Sequence, residues 1–128
     1  MLTLHHIGVL VDDMAEAIRS YTQVFGQSSA SEIHHISSQK VNVCMIRVAD
    51  NQYIELVEPA AEDSIVKNIK GSSYYHAGYW TEDVETEAQR LENIGFVRLG
   101  SFYSEAFDMQ QCVFMFSPQM HLFELIQK

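Results

Sequence analysis

The chain has 128 residues, the size of one ordinary domain or two tightly fused halves. Hydrophobic residues make up 47% and charged residues 20%, a globular balance that excludes a disordered tail or a low-complexity protein. A formal net charge of −9 with eight scattered basic residues disfavours nucleic acid and anionic membrane as partners, because neither finds a basic surface.

In chain order, residues 2–10 alternate as a strand. Asp13, with Glu16 three residues later, starts a helix whose apolar face is Met14, Ala17, Ile18, Tyr21 and Phe25, and Gly26 ends it in a left-handed cap. Strand-like stretches follow at about 28–36, 41–48 and 53–58. Residues 60–73 connect the halves and hold a short helix at 64–70, ended by Gly71. Residues 74–80 form the next strand. Asp83 starts a second helix, with Val84, Ala88, Leu91 and Ile94 on its apolar face and Gly95 at its end. Three more strands fall at about 97–103, 111–116 and 122–126. Nothing approaches the ~18 apolar residues that span a bilayer. The N-terminal Met1-Leu2-Thr3-Leu4-His5-His6 has no Lys or Arg, unlike a signal peptide, and a cytoplasmic protein is expected. Cys44 and Cys112 sit in apolar runs with no CxxC and read as reduced core residues.

The chain repeats itself at a shift of about 70 residues. His6-Ile7-Gly8-Val9 matches His76-Ala77-Gly78-Tyr79, and Val11-Asp12-Asp13-Met14 matches Thr81-Glu82-Asp83-Val84. Phe25-Gly26 matches Ile94-Gly95, and Tyr53-Ile54-Glu55-Leu56-Val57 matches Leu122-Phe123-Glu124-Leu125-Ile126. His6 precedes Glu55 by 49 positions and His76 precedes Glu124 by 48. Each half is β-α-β-β-β, module one at about 1–59 and module two at about 74–128. A half this short buries too little surface to stand alone, so residues 1–128 are expected to pack as a single α+β domain. Its two tandem βαβββ modules would form a curved eight-stranded mixed sheet around a central site.

The repeat places four metal-competent side chains as two equivalent pairs: His6 with Glu55, and His76 with Glu124. A carboxylate in an apolar strand is costly unless it faces a partner. Two imidazoles and two carboxylates suit one divalent ion such as Zn, Ni, Co, Mn or Fe, with positions left for water or substrate. His5 faces the other side of its strand and is structural or surface. His34 and His35 face solvent, with room for one of them to border the pocket. His121 is a turn residue, and Glu58 and Glu62 belong to the solvated connection. Met45, Met109, Met115 and Met120 are core or pocket wall. There is no GxGxxG, Walker loop, HExxH or GxSxG motif.

These residues resemble the vicinal oxygen chelate superfamily, which includes glyoxalase I, methylmalonyl-CoA epimerase, extradiol dioxygenases and the fosfomycin-resistance and bleomycin-binding proteins. The resemblance covers nearly the whole chain. It rests on His5-His6-Ile7-Gly8-Val9, Tyr53-Ile54-Glu55-Leu56-Val57-Glu58-Pro59, Tyr75-His76-Ala77-Gly78-Tyr79 and Phe114-Met115-Phe116-Ser117-Pro118 with Phe123-Glu124-Leu125-Ile126. The epimerase and glyoxalase-like branch is the most similar.

The resemblance implies that His6, Glu55, His76 and Glu124 hold a divalent metal. It implies a metal-dependent isomerase or epimerase, with proton abstraction next to a carbonyl of a small-molecule substrate, such as an acyl-thioester. Glu124 is the expected base and Glu55 the second choice. The alternatives are a glyoxalase I-type lactoylglutathione lyase and a non-catalytic antibiotic-binding protein. Leu10 stands where bacterial glyoxalase I carries an arginine that helps hold glutathione. Val41-Asn42-Val43-Cys44 has no acid where the epimerases carry a catalytic one. A homodimer is implied by the resemblance alone.

Overall fold

Asp13 and Asp83 start the two helices in the same way. Each is extended, and its side chain accepts a hydrogen bond of 3.1 Å from the backbone N–H three residues on, Glu16 and Thr86 respectively. Such a cap contributes about 1 kcal/mol. The hydrogen bond from Thr86 also holds the Asp83 carboxyl below the usual carboxylate range. The helices are α1 (Met14–Phe25) and α2 (Val84–Glu92). The structure, a computed structural model, describes residues 1–67 and 73–128.

The chain is α+β, with eight strands of a mixed sheet and a βαβββ order that occurs twice. The first four strands are β1 (Thr3–Leu10), β2 (His34–Ile36), β3 (Val41–Ala49) and β4 (Gln52–Pro59). They lie in the order β2-β3-β4-β1, with β1 parallel to β4 and the other pairs antiparallel. The second four are β5 (Tyr74–Thr81), β6 (Val97–Ser104), β7 (Gln110–Phe116) and β8 (Leu122–Gln127). They repeat the pattern as β6-β7-β8-β5, with β5 parallel to β8.

Contacts divide the chain into two compact units, His6–Tyr75 and Met1–His5 with His76–Lys128. In the first, Met14, Ala17, Ile18 and Tyr21 of α1 pack on Cys44, Ile46 and Leu56. In the second, Val84, Ala88 and Leu91 of α2 pack on Val113, Met115 and Leu125, with Leu2 and Phe96 at the margin. Ile46, Leu56, Val113 and Leu125 are fully buried, and each such side chain is worth about 1.5–3 kcal/mol. In each unit one sheet face thus covers a helix, and strand alternation leaves every second side chain on the other face.

The expected elements and their ends differ from the observed ones at four places. Residues 28–36 form a strand only over His34–Ile36, preceded by a single bridge between Ala30 and Ile46. Around that bridge Ser31 and Ser29 exchange backbone bonds with Met45 and Arg47, but the Met45 N–H is then taken by Ser31 Oγ at 2.9 Å, so a side chain replaces the next ladder partner. Gly26 has a positive φ of 107° but an extended ψ of 153°, so it ends α1 without adopting the left-handed helical cap. Helix α2 ends at Glu92, leaving Ile94 exposed in a turn whose Ile94 and Phe96 N–H groups both bond the Leu91 carbonyl. Residues 64–67 form a turn, not the start of a helix, and the rest of the expected 64–70 helix lies outside the described residues.

Candidate functional site

Ile54 and Leu56 of β4 face α1, so Glu55 between them lies on the opposite face. There it stands opposite Gly8 of β1 and Met45 of β3. His6, two residues before Gly8, shares that face, and its Nε2 is 3.5 Å from Glu55 Oε1. The second unit repeats the arrangement. Glu124 stands opposite Gly78 of β5 and Phe114 of β7, and His76 Nε2 is 3.3 Å from Glu124 Oε1. A glycine beside each carboxylate sets no side chain there, which leaves room for the histidine two residues upstream to reach it.

All four side chains are buried: His6 is 1% exposed, His76 2%, Glu124 4% and Glu55 6%. Carboxylates this buried need a compensating charge or hydrogen bond. The separations of 3.3 and 3.5 Å exceed the ~2.7–3.2 Å of an ordinary N–H···O bond. They fit two donors on one cation, because metal–ligand bonds of ~2.0–2.2 Å at tetrahedral or octahedral angles hold neighbouring donor atoms about 3–3.5 Å apart. Imidazole nitrogen with carboxylate oxygen is a donor pair for Zn, Ni, Co, Mn or Fe(II). Each unit therefore presents one His–Glu pair with the spacing of cation ligands.

The surroundings of the two pairs differ. Val43 and Met45 lie on the Glu55 face, both buried. Val43 lies in the stretch without an acid, so the nearest strand adds no second carboxylate to that face. Around Glu124 the face is aromatic: Phe114 meets the His76 ring edge-on at 5.6 Å, and Phe102 lies 5.4 Å from Phe114.

Other sequence candidates fall outside these pairs. His5 is buried edge-on between Trp80 at 5.1 Å and Phe107 at 5.3 Å, a packing role. His35 is exposed and bonded to Asn42, whereas His34 pairs in register with Val43 and so borders the Glu55 face. His121 is exposed in a turn, its N–H bonded to Ser117 Oγ. Glu62 is exposed beside Lys67. Met45 and Met115 are buried, but Met109 and Met120 are exposed at turn positions with positive φ, so neither is core nor wall. Cys44 is buried, and burial pushes its thiol up despite its hydrogen bonds with Ser31, the wrong direction for a nucleophile.

Glu58 is not a solvated connection residue. It is half-buried on β4, where Oε2 accepts from the Met14 N–H at 2.8 Å and Oε1 from Asn42 Nδ2 at 3.1 Å. Its place in the repeat was the available signal: Gln127 follows Glu124 by three residues as Glu58 follows Glu55.

Comparison with known proteins agrees with this architecture. The family model described as glyoxalase/bleomycin resistance protein/dioxygenase superfamily matches residues 5–116. No curated protein matches the chain. Among solved structures, the hypothetical protein BH1468 from Bacillus halodurans C-125 has a TM-score of 0.87 at 20% identity, covering 99% of this chain and 94% of its own. Methylmalonyl-CoA epimerase from Mycobacterium tuberculosis has a TM-score of 0.83 at 20% identity, covering 97% and 86%. Streptomyces coelicolor methylmalonyl-CoA epimerase in complex with 2-nitronate-propionyl-CoA has a TM-score of 0.79 at 24% identity, covering 100% and 99%. The family match over residues 5–116 and the twice-built βαβββ order together establish that this chain belongs to the glyoxalase/bleomycin resistance protein/dioxygenase superfamily.

Proposed function

We propose that this protein is a metal-dependent isomerase or epimerase that moves a proton at a carbon next to a carbonyl. The observation that carries the reading is the spacing of the two buried His–Glu pairs, 3.5 and 3.3 Å. In this proposal His6, Glu55, His76 and Glu124 hold one divalent cation. When bound, that cation supplies Lewis-acid stabilisation of the negative charge that develops on the carbonyl oxygen. The substrate class is an acyl-thioester, by analogy with the epimerase neighbour in complex with an acyl-CoA analogue.

The chain's own residues do the rest. Glu124 takes the proton from the carbon next to the carbonyl, the electron pair moves into the enolate, and a proton delivered to the other face of that carbon, in this reading from the Glu55 carboxyl, completes the epimerisation. Its strand fixes the carboxylate beside His76, and the buried Phe114 with the half-buried Phe102 gives that face an aromatic wall. Glu55 is the equivalent carboxylate of the other module and the second candidate for the base.

The experiment is hydrogen exchange into propionyl-CoA or methylmalonyl-CoA in deuterated water, followed by NMR. The cation-loaded wild type is expected to wash out the hydrogen next to the carbonyl. Glu124→Gln should keep the fold and lose about 10²–10⁴-fold of that rate. Exchange at the wild-type rate in Glu124→Gln removes Glu124 as the base. No exchange by the loaded wild type rejects the reading.

A further inference from the structure

The register of the first unit sets three residues in one transverse row. His6 of β1 stands opposite Tyr53 of β4, and Tyr53 stands opposite Arg47 of β3. Directly opposed residues share a sheet face, so Arg47 lies on the face that carries His6 and Glu55. Neighbouring strands are ~4.8 Å apart, which puts the Arg47 backbone about 10 Å from that of His6. The register also shifts between Arg47 and Ala49, an irregularity of the kind that re-aims a side chain.

The fold does not require a charge at this place. Met45 opposes Glu55 as Phe114 opposes Glu124, so the second-module counterpart of Arg47 is Phe116, which stands opposite Leu122. The repeat keeps the backbone and fills the position with a hydrophobic side chain in one half and a guanidinium in the other. Arg47 differs from the other arginines in its place, since the exposed Arg19 lies on α1, the helix that packs on the sheet face opposite His6 and Glu55. Arg98 is held by Glu85 and Glu92, and Arg90 by the buried Glu87. The Arg47 side chain is 58% exposed, and its contact is a bond of 2.9 Å from Nη2 to Asp50, a carboxylate 96% exposed three residues on. Exposed pairs of this kind are weak and exchange readily. A guanidinium with donors to spare matches a carboxylate or phosphate through two parallel hydrogen bonds. In a chain of net charge −9, an anionic substrate is repelled from most of the surface and needs such a point.

We infer that Arg47 is an anion anchor for the substrate, binding a phosphate or carboxylate from two strands away on the face that carries His6 and Glu55. The inference rests on the reading that His6 and Glu55 belong to that centre. An acyl-CoA offers both sources of the anion, the carrier's phosphates and, in a dicarboxylic acyl group, a free carboxylate.

Four thioesters separate them: methylmalonyl-CoA, propionyl-CoA, methylmalonyl-pantetheine and propionyl-pantetheine. Their binding to wild type, Arg47→Gln and Arg47→Lys is measured by calorimetry. Arg47→Gln is expected to weaken the anionic probes about ten- to hundredfold and to leave propionyl-pantetheine unchanged, with Arg47→Lys between. Loss confined to the two CoA thioesters assigns Arg47 to phosphate, and loss confined to the two methylmalonyl probes assigns it to the carboxylate. Equal affinities of wild type and Arg47→Gln for every probe, or no binding of any by the wild type, overturn the inference. Hydrogen exchange is followed in the same samples. Exchange with equal affinities removes the anchor and leaves the function, whereas an affinity difference without exchange removes the function and leaves the anchor.

Discussion

Glu58 and Gln127 make the same hydrogen bond in the two halves of the chain: each side chain accepts from the first N–H of its module's helix, Met14 at 2.8 Å and Val84 at 2.9 Å. Each stands three residues past a strand glutamate, so the strand that carries Glu55 or Glu124 is tied directly to a helix start. Those N–H groups have no partner within the helix, and a side-chain oxygen is the means of satisfying them. The negative charge of Glu58 also sits favourably at a helix N-terminus.

This tie predicts an asymmetric mutant pair. Glu58→Ala removes the acceptor for both Met14 and Asn42 and should cost about 1–3 kcal/mol in urea unfolding. Glu58→Gln keeps an acceptor for Met14, as Gln127 does for Val84, and should recover more than half of that loss. Equal losses for the two variants show that the hydrogen bond to Met14 contributes nothing.

The proposed cation predicts a stoichiometry and a stability change. Protein purified without chelator is expected to hold about one divalent ion per chain, and His6→Ala and His76→Ala each to lose it. A ligand at 100 times its dissociation constant stabilises the folded state by about 2.7 kcal/mol. For a chain of this length that is a fall in Tm of roughly 10 °C on adding chelator. Two ions per chain, or an unchanged Tm with chelator, count against one shared site.

The His–Glu pairs were legible because the chain spells them twice. His6-Ile7-Gly8 and His76-Ala77-Gly78 fix both the face and the space beside it, and a glutamate between apolar strand neighbours is costly unless it faces a polar partner. Glu58 was not legible in isolation, because its partner is a backbone N–H that only the packing of α1 on β4 brings near. The same holds for residues 28–33, where serine hydroxyls compete with the ladder and no periodicity records which wins. Arg47 is one more scattered base in the sequence, and only the strand register places it in a row with His6.

Glu87 predicts an acid limb in stability. Burial alone would raise its pKa, but the ammonium of Met1 at 3.0 Å and the Arg90 guanidinium at 2.8 Å outweigh burial and hold it below the usual carboxylate range. A carboxyl depressed in the folded state contributes stability that is complete above its unfolded pKa of about 4.3 and is lost as the pH falls through the folded value. Glu87→Gln should therefore be less stable than wild type at pH 7, and the gap should close on acidification below about pH 4. A gap that is constant from pH 7 to pH 3 would mean the charge of Glu87 is not what stabilises.

Met120 predicts a stabilising substitution. It is 67% exposed and sits at φ 68° in the turn between β7 and β8, where its N–H bonds the Ser117 carbonyl at 2.8 Å. A left-handed conformation costs a side-chain-bearing residue roughly 1–2 kcal/mol, a cost that glycine does not bear. Glycine gives back part of this through the greater freedom of its unfolded chain. With almost no packing to lose, Met120→Gly should raise stability by about 0.5–1 kcal/mol, seen as a Tm a few degrees higher with an unchanged urea m-value. A lower Tm would show that the exposed methionine makes contacts worth more than its backbone strain.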